Sequence, residues 1–116
     1  MLDGLESLGI ANSTAVVFHS DHGWKLGEHG DWSKCTNWEV DARVPLIIRA
    51  PWIQPEGGQS TLALVELVDL FPTVVDLAGL PAVPTSEGLE GKSLVPVLQN
   101  PQVCFSMLCV VFLTAS

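Results

Sequence analysis

The residues of this sequence best suited to chemistry lie in one polar stretch, Ser20 to Lys34 (SDHGWKLGEHGDWSK). Asp21 offers a carboxylate oxygen of the kind that Ca²⁺ and Mg²⁺ prefer, and the adjacent His22 offers an imidazole nitrogen or a hydrogen-bond donor. His29 could act as an acid-base group near neutral pH. This combination predicts a ligand site, although Asp and Gly after a strand are equally typical of an ordinary turn.

The elements that would position this stretch follow an α/β order. Residues 2–8 carry apolar side chains at helical spacing, and residues 14–18 and 44–48 are short apolar runs typical of strands, the first buried on both faces. Residues 62–80 predict a helix. Because ligands of open α/β sheets bind at the carboxyl ends of strands, the loop after residue 18 is where a site is expected.

The ends of the second predicted helix and the segment after it have their own signals. Asp69 is expected to cap the main part of the helix, Pro72 falls in its first turn and Gly79 ends it. Residues 81–101 hold four of the eight prolines. They predict a surface loop with at most a short ordered segment near Gly91 to Pro96.

Composition limits the partners. The chain has 116 residues, about one small domain, and a formal net charge of -8. Its five Lys and Arg form no basic stripe, which argues against nucleic acid. An acidic chain with an anionic substrate needs a local positive charge, such as a bound cation. Three cysteines without CxxC spacing predict neither a disulfide framework nor a zinc ribbon.

The two ends of the chain show no targeting or membrane signal. The residues after Met1 include no basic region and no long apolar run, so no signal peptide is expected at this start. Val103 to Thr114 (VCFSMLCVVFLT) is almost wholly apolar but falls short of the ~20 residues that span a bilayer as a helix. It predicts a buried strand or a stray end, and no membrane span.

Several segments taken together resemble the sulfatase family, within the alkaline-phosphatase-like superfamily. They occur in order and at close spacing: SDHG at 20–23, LGEHG at 26–30, RVPLI at 43–47, LVDLFPT at 67–73 and GKSLVPVL at 91–98. The resemblance covers residues 1–101 as part of a catalytic domain and leaves residues 102–116 as an apolar tail. It implies an α/β fold with a mixed, mostly parallel sheet flanked by helices.

Within the family, the sequence is most similar to the branch that removes sulfate from iduronate units of glycosaminoglycans. That similarity implies a sulfated glycosaminoglycan as the substrate of the parent protein and a lysosomal or secreted location. Asn12-Ser13-Thr14 is a glycosylation sequon, with Asn12 as the acceptor, which agrees with such a location.

The resemblance also implies roles for individual residues. Asp21 and His22 match one of the two ligand pairs that hold a single divalent cation, usually calcium, and Lys34 matches a catalytic lysine that contacts the sulfate. His29 is a weaker candidate for orienting the substrate. Three acids, Glu28, Asp31 and Glu39, could hold His22 or Lys34 in place or form a solvated face. The tryptophans Trp24, Trp32 and Trp38 are expected to cover a core edge, with sugar stacking as the alternative.

The departures from the family pattern concern the reaction itself. The family nucleophile is a formylglycine made from the cysteine of a cysteine-x-proline-x-arginine motif, and none of the three cysteines here begins that motif. The paired aspartates of the other half of the metal site are also absent. The expected chain is therefore a fragment that does not hydrolyse sulfate esters alone. The alternatives are a phosphodiesterase or phosphonate hydrolase of the same superfamily, or a non-catalytic interaction fragment.

Overall fold

A computed structural model describes residues 1–53 and 58–102 of the chain. Its helices are α1 (Leu2–Ser7), α2 (Glu39–Ala42), α3 (Leu70–Leu77) and α4 (Val95–Gln99), and its strands are β1 (Val16–His19), β2 (Lys25–Leu26), β3 (Trp32–Ser33) and β4 (Leu46–Arg49). None of the helices in these two ranges has the length and apolar character needed to cross a membrane. The apolar tail from residue 103 onward lies outside the described residues.

The strands confirm a mixed α/β chain but pair antiparallel. β1 pairs with β4, with Val16 opposite Arg49 and His19 opposite Leu46, and β2 pairs with β3. The mostly parallel sheet implied by the resemblance is not formed by these strands. The reason is that residues 20–45 leave and rejoin the ladder at the same end, so the chain direction reverses without the crossover that a parallel pair needs.

β1 is less buried than its apolar sequence predicts. The strand begins two residues later than expected, and Phe18 in it is 59% exposed. β4 alternates instead, because Leu46 and Ile48 face the core at 2% exposure each while their neighbours are half-buried. Burial of β1 on both faces is therefore wrong, because its first two residues are half-buried and its last two are exposed.

The core lies between β4, α3 and α4. It includes Leu46, Ile48, Leu77, Leu94, Val97 and Leu98, all under 9% exposed. The loop predicted over residues 81–101 is wrong in its last part, because α4 is a helix that supplies three buried residues. Its proline lies in the first turn, where the missing N–H removes no helical hydrogen bond. The density of proline and glycine in residues 81–101 predicted a loop, and it gave no indication of this helix.

α3 begins later than residue 62 and is not capped by an aspartate side chain. A 3₁₀ turn over Leu67–Asp69 precedes it. The Asp69 carboxylate accepts the backbone N–H groups of Glu66 at 2.9 Å and Lys92 at 2.8 Å, so it joins the turn before the helix to the segment after it. The predicted end is confirmed: Gly79 has φ +66°, and the Leu80 N–H donates to the Val75 carbonyl at 3.1 Å, as in a Schellman motif.

Candidate functional site

The polar stretch forms a loop at one end of the β1–β4 ladder. Asp21 and His22 follow the last residue of β1 almost directly, as the sequence order predicts. The Ser20 hydroxyl donates to the His22 carbonyl at 2.7 Å and tightens the turn. The Asp21 side chain is 81% exposed and that of His22 is 32% exposed, so both reach the surface beside the strand end.

The His22 ring has a fixed orientation and a defined tautomer. Its Nδ1 lies 2.7 Å from the Gly23 carbonyl, a contact that requires Nδ1–H to donate. The neutral ring then presents the Nε2 lone pair, and Nε2 lies 3.2 Å from Asp21 Oδ2. Two ligands at right angles around a calcium ion, each 2.3–2.6 Å from it, would be separated by roughly 3.3–3.7 Å. The spacing of these two atoms therefore suits two neighbouring ligands of one cation.

Lys34 reaches the same atoms from a distant part of the loop. Its Nζ lies 2.5 Å from His22 Nε2. The pKa of Asp21 is held below its usual range by a hydrogen bond from its own backbone N–H, and further by the neighbouring His22 and Lys34 side chains. The structure therefore brings together Asp21, His22 and Lys34, the three residues singled out for cation and sulfate contact.

His29 and Asn12 lie elsewhere. The His29 ring stacks on Trp38, with centroids 3.9 Å apart and planes 7° from parallel, and its backbone is left-handed at φ 58°. Asn12 is exposed in a 3₁₀ turn, Ala11–Ser13, before β1 begins. Asn12 therefore precedes the first residue of β1, whereas Asp21 follows the last.

Sequence reasoning missed a buried ion pair. Lys25 is fully buried, and its Nζ lies 2.7 Å from Asp41 Oδ2 and 3.0 Å from the Thr36 hydroxyl. Asp41 itself is 4% exposed. No local signal marks the pair, because a lysine inside a polar loop is usually solvated and its partner is distant along the chain.

The two charges of this pair stabilise each other's ionised forms. Burial alone would lower the pKa of Lys25, but the hydrogen bond and the charge of Asp41 raise it overall. Hydrogen bonds from Lys25 and Thr36 lower the pKa of Asp41 despite its burial. Both groups are therefore ionised across the neutral pH range.

The three acids that could have held His22 or Lys34, or formed a solvated face, have partners elsewhere. Glu28 accepts the Leu26 N–H at 2.5 Å, Asp31 lies 3.4 Å from Lys25, and Glu39 binds Arg43 at 2.9 Å. The tryptophans are also placed differently from the core edge predicted for them, because Trp24, Trp32 and Trp38 are 52%, 66% and 48% exposed.

Comparison with known families identifies the chain. A family model described as Sulfatase matches residues 1–80. The chain belongs to the sulfatase family. The members of this family generally bind a divalent cation. Asp21 Oδ2 and His22 Nε2 fit two positions of such a site, whereas no group of three or more His, Cys, Asp or Glu residues within 1–53 and 58–102 could complete it.

Curated relatives agree with this assignment. Human iduronate 2-sulfatase is 41% identical over an alignment of 107 residues, and the match covers 72% of this sulfatase chain and 20% of the relative. Zebrafish arylsulfatase K is 38% identical over 103 residues, covering 89% of this chain and 19% of the relative. The chain thus spans about a fifth of the length of the curated relatives it matches.

Solved structures confirm the alkaline-phosphatase-like fold. A protein solved in complex with its substrate D-glucosamine-2-N,6-O-disulfate superposes with a TM-score of 0.74 at 37% identity, over 92% of this chain and 21% of that one. The phosphonate monoester hydrolase of Silicibacter pomeroyi superposes with a TM-score of 0.75 at 36% identity, over 84% and 18%.

Proposed function

We propose that this chain supplies half the metal site and the sulfate-contacting lysine of an enzyme that hydrolyses sulfate esters. Asp21 and His22 are two ligands of one divalent cation, which we infer to be calcium, and Lys34 is the catalytic residue on this chain. The observation that carries the proposal is the 3.2 Å separation of Asp21 Oδ2 and His22 Nε2, with the ring fixed by its bond to Gly23.

The roles of the residues follow from their geometry. When bound, the cation would draw in the sulfate oxygens and offset the negative charge that develops on them. The Gly23 carbonyl keeps the proton on His22 Nδ1, so Nε2 presents a lone pair, and the Lys34 ammonium that contacts Nε2 would give way to the cation there. The lowered pKa of Asp21 keeps its carboxylate ionised. Lys34 places an ammonium beside both, where it can neutralise an oxygen of the leaving group.

The remaining parts of the reaction must come from other residues. The 116 residues contain no cysteine-x-proline-x-arginine motif to supply a formylglycine nucleophile. Asp21 and His22 are also too few for calcium, which takes 6 to 8 ligands. We therefore propose that residues 1–101 form part of a catalytic domain and do not hydrolyse sulfate esters alone. In this proposal residues 102–116 take no part in the site.

The substrate is proposed to be a sulfated glycosaminoglycan, with sulfate on iduronate. The support is the identity to iduronate 2-sulfatase and the sulfated amino sugar, D-glucosamine-2-N,6-O-disulfate, that is the substrate of the structural relative. His29 would orient the sugar from its stack with Trp38. A lysosomal or secreted parent is proposed on the same ground, with Asn12 as a glycan acceptor on an exposed turn.

A phosphonate monoester hydrolase is the second candidate. One solved member of that class superposes as well as the sulfated-sugar enzyme does, with a TM-score of 0.75 against 0.74. Both reactions involve a tetrahedral oxyanion and a leaving alkoxide. The same cation and lysine would therefore serve either reaction, and substrate turnover must separate them.

The proposal is tested in a chimera. The aligned segment of human iduronate 2-sulfatase is replaced by residues 1–101 of this chain, and turnover of a sulfated iduronate disaccharide is compared with that of a phosphonate monoester. We expect sulfate release, lost on Asp21→Ala, His22→Ala or Lys34→Met and kept on Glu66→Gln, an exposed acid outside the loop. A folded chimera that cleaves the phosphonate monoester and not the sulfate would overturn the proposal.

A further inference from the structure

Lys25, Thr36 and Asp41, here called the Asp41 cluster, lie within the loop that carries the candidate site; Lys25 and Asp41 are buried, and Thr36 is half-buried. Asp41 Oδ2 accepts from Lys25 Nζ at 2.7 Å, from the Thr36 N–H at 3.2 Å and, at closer range, from the Thr36 hydroxyl. Three donors on one carboxylate oxygen make Asp41 the point where separate parts of the loop meet.

Asp41 also holds the segment that carries the two proposed metal ligands. Its backbone carbonyl accepts the Gly23 N–H at 2.7 Å. A Cβ on Gly23 would lie 1.9 Å from the Val40 carbonyl oxygen, so only glycine allows the backbone to approach α2 this closely. His22, which bonds the Gly23 carbonyl, is therefore fixed relative to Asp41.

Together these contacts form a closed circuit. One path runs from the Asp41 carbonyl through Gly23 to His22, and the other runs from the Asp41 carboxylate through Thr36 to Lys34, two residues earlier. The paths meet where Lys34 Nζ contacts His22 Nε2 at 2.5 Å. Removing the carboxylate would leave the first path intact and release the second.

We propose that Asp41 is a positioning residue that sets where the Lys34 ammonium lies relative to Asp21 and His22. The expected effect of Asp41 on the rate of sulfate release rests on the proposed function. Its expected effect on the position of Lys34 rests on the hydrogen bonds alone. Lys25 serves it by neutralising the buried carboxylate, because an unpaired charge at this depth would be disfavoured. Asp41 is 4% exposed and acts through Thr36, whose N–H donates to it.

A matched pair of variants separates the role of the acceptor from that of the charge. Lys25→Met with Asp41→Asn and Lys25→Met with Asp41→Leu have the same net charge, and Asn and Leu have the same branching and number of side-chain heavy atoms. The first retains an acceptor for Thr36, and the second has none. Neither leaves an unpaired ion in the interior, which favours folding of both.

The structural readout is the tautomer of His22 in the full chain. Nitrogen shifts of ¹⁵N-labelled histidine are measured at about pH 8.5, where an ordinary imidazole is neutral, and His22 is assigned with His22→Gln. We expect the Nδ1–H form to dominate in the asparagine variant. Its ratio to the Nε2–H form should fall about tenfold in the leucine variant, the effect of losing one hydrogen bond of typical strength. Lys34→Met, which removes the donor itself, should produce the same shift.

The catalytic readout uses the chimera described above. We expect kcat to fall about 10- to 100-fold in the leucine variant relative to the asparagine variant, with KM changed by less than about threefold, since displacement by ~1 Å can cost 10²-fold in rate. Equal tautomer ratios in the two variants would overturn the inference. If neither variant folds, Thr36→Ser and Thr36→Val form a second matched pair, and the same comparison decides.

The two proposals fail in different ways. A tautomer shift in a chimera that does not release sulfate would refute the proposed function and leave the positioning role standing. Sulfate release that is equal in the two variants, together with an unchanged tautomer, would refute the positioning role alone.

Discussion

The core between β4, α3 and α4 and the loop over residues 20–45 are stabilised by different interactions. In the core, Ile48, Val97 and Leu98 are each at most 2% exposed and pack on other apolar side chains. Between Asp21 and Trp38, a segment that the structure describes completely, the one buried residue is Lys25. The core therefore depends on filled volume, whereas the loop depends on a few hydrogen bonds to a buried charge.

This difference predicts which changes unfold the chain and which disturb the loop. Loss of volume should act on the whole fold, because close-packed side chains relax little around a cavity. Loss of a donor or acceptor in the loop should act locally. The following changes test that contrast, in order of decreasing effect.

Leu98→Ala should have the largest effect. The side chain is 1% exposed in α4, so its truncation leaves a cavity among the core residues. We expect a loss of about 2–5 kcal/mol in the free energy of unfolding, measured by denaturant titration. Leu62→Ala, at 80% exposure, is the control and should change little. Similar losses for both would show that the core is not close-packed.

Gly23→Ala should disturb the loop and leave the core folded. The new methyl would lie 1.9 Å from the Val40 carbonyl oxygen, so α2 and the turn after β1 must separate. We expect a loss of about 1–3 kcal/mol, with amide exchange accelerated in residues 21–43 and unchanged in α4. Gly4→Ala has open space and a helical backbone, and should be neutral or stabilising. Uniform acceleration across the chain would contradict the separation of the two regions.

The Asp41 cluster should make the loop sensitive to extremes of pH. The folded pKa of Asp41 is lowered below 3.8, so its contribution is complete above that value and is lost as pH falls through the folded pKa. The folded pKa of Lys25 is raised above 10.5, so its contribution is complete below that value and is lost as pH rises through the folded pKa.

Exchange of the Thr36 amide measures this sensitivity, because that N–H donates to Asp41. After correction for intrinsic exchange, we expect its protection to be constant between about pH 4 and pH 10 and to fall on both sides. The variant with Lys25→Met and Asp41→Leu should lose both slopes. Equal slopes in that variant would assign the pH dependence to other groups.

Glu39→Gln should have the smallest effect. Glu39 binds Arg43 one helical turn away at 2.9 Å, and its side chain is 72% exposed. We expect a change of about 0.3–0.5 kcal/mol in the free energy of unfolding, reduced by added salt. Because Glu39 lies two residues from Asp41, this variant tests whether a surface charge near the Asp41 cluster also stabilises the loop. A loss as large as that of Gly23→Ala would mean that surface charges, too, hold the loop.

The position of Asp21 and His22 in the candidate site could be predicted because the two residues are adjacent in sequence. Asp21 and His22 follow a strand, and the strand was recognisable from its apolar run. Lys34 was predicted through the family resemblance, since nothing in its own neighbourhood distinguishes it from a solvated lysine. The Asp41 cluster could not be predicted, because its members are separated along the chain and each has an ordinary local context.

The fold shows the same limit. The end of α3 was predictable from Gly79, whose left-handed backbone is a local requirement. The start of α3 was not, because Asp69 bonds Lys92 far along the chain instead of capping the helix. α4 was hidden by prolines whose effect depends on their place in the helix. The antiparallel pairing of β1 with β4 is likewise a property of the whole loop between them and not of either strand.

That pairing also bears on how the site could diversify. Because His19 and Leu46 are paired, the ladder holds both ends of the loop together whatever the loop contains. Doubling the length of a flexible loop costs only about 0.6 kcal/mol in closure entropy. Insertions into this segment would therefore be tolerated by the ladder and the core, and the residues of the candidate site could be exchanged without a change in either.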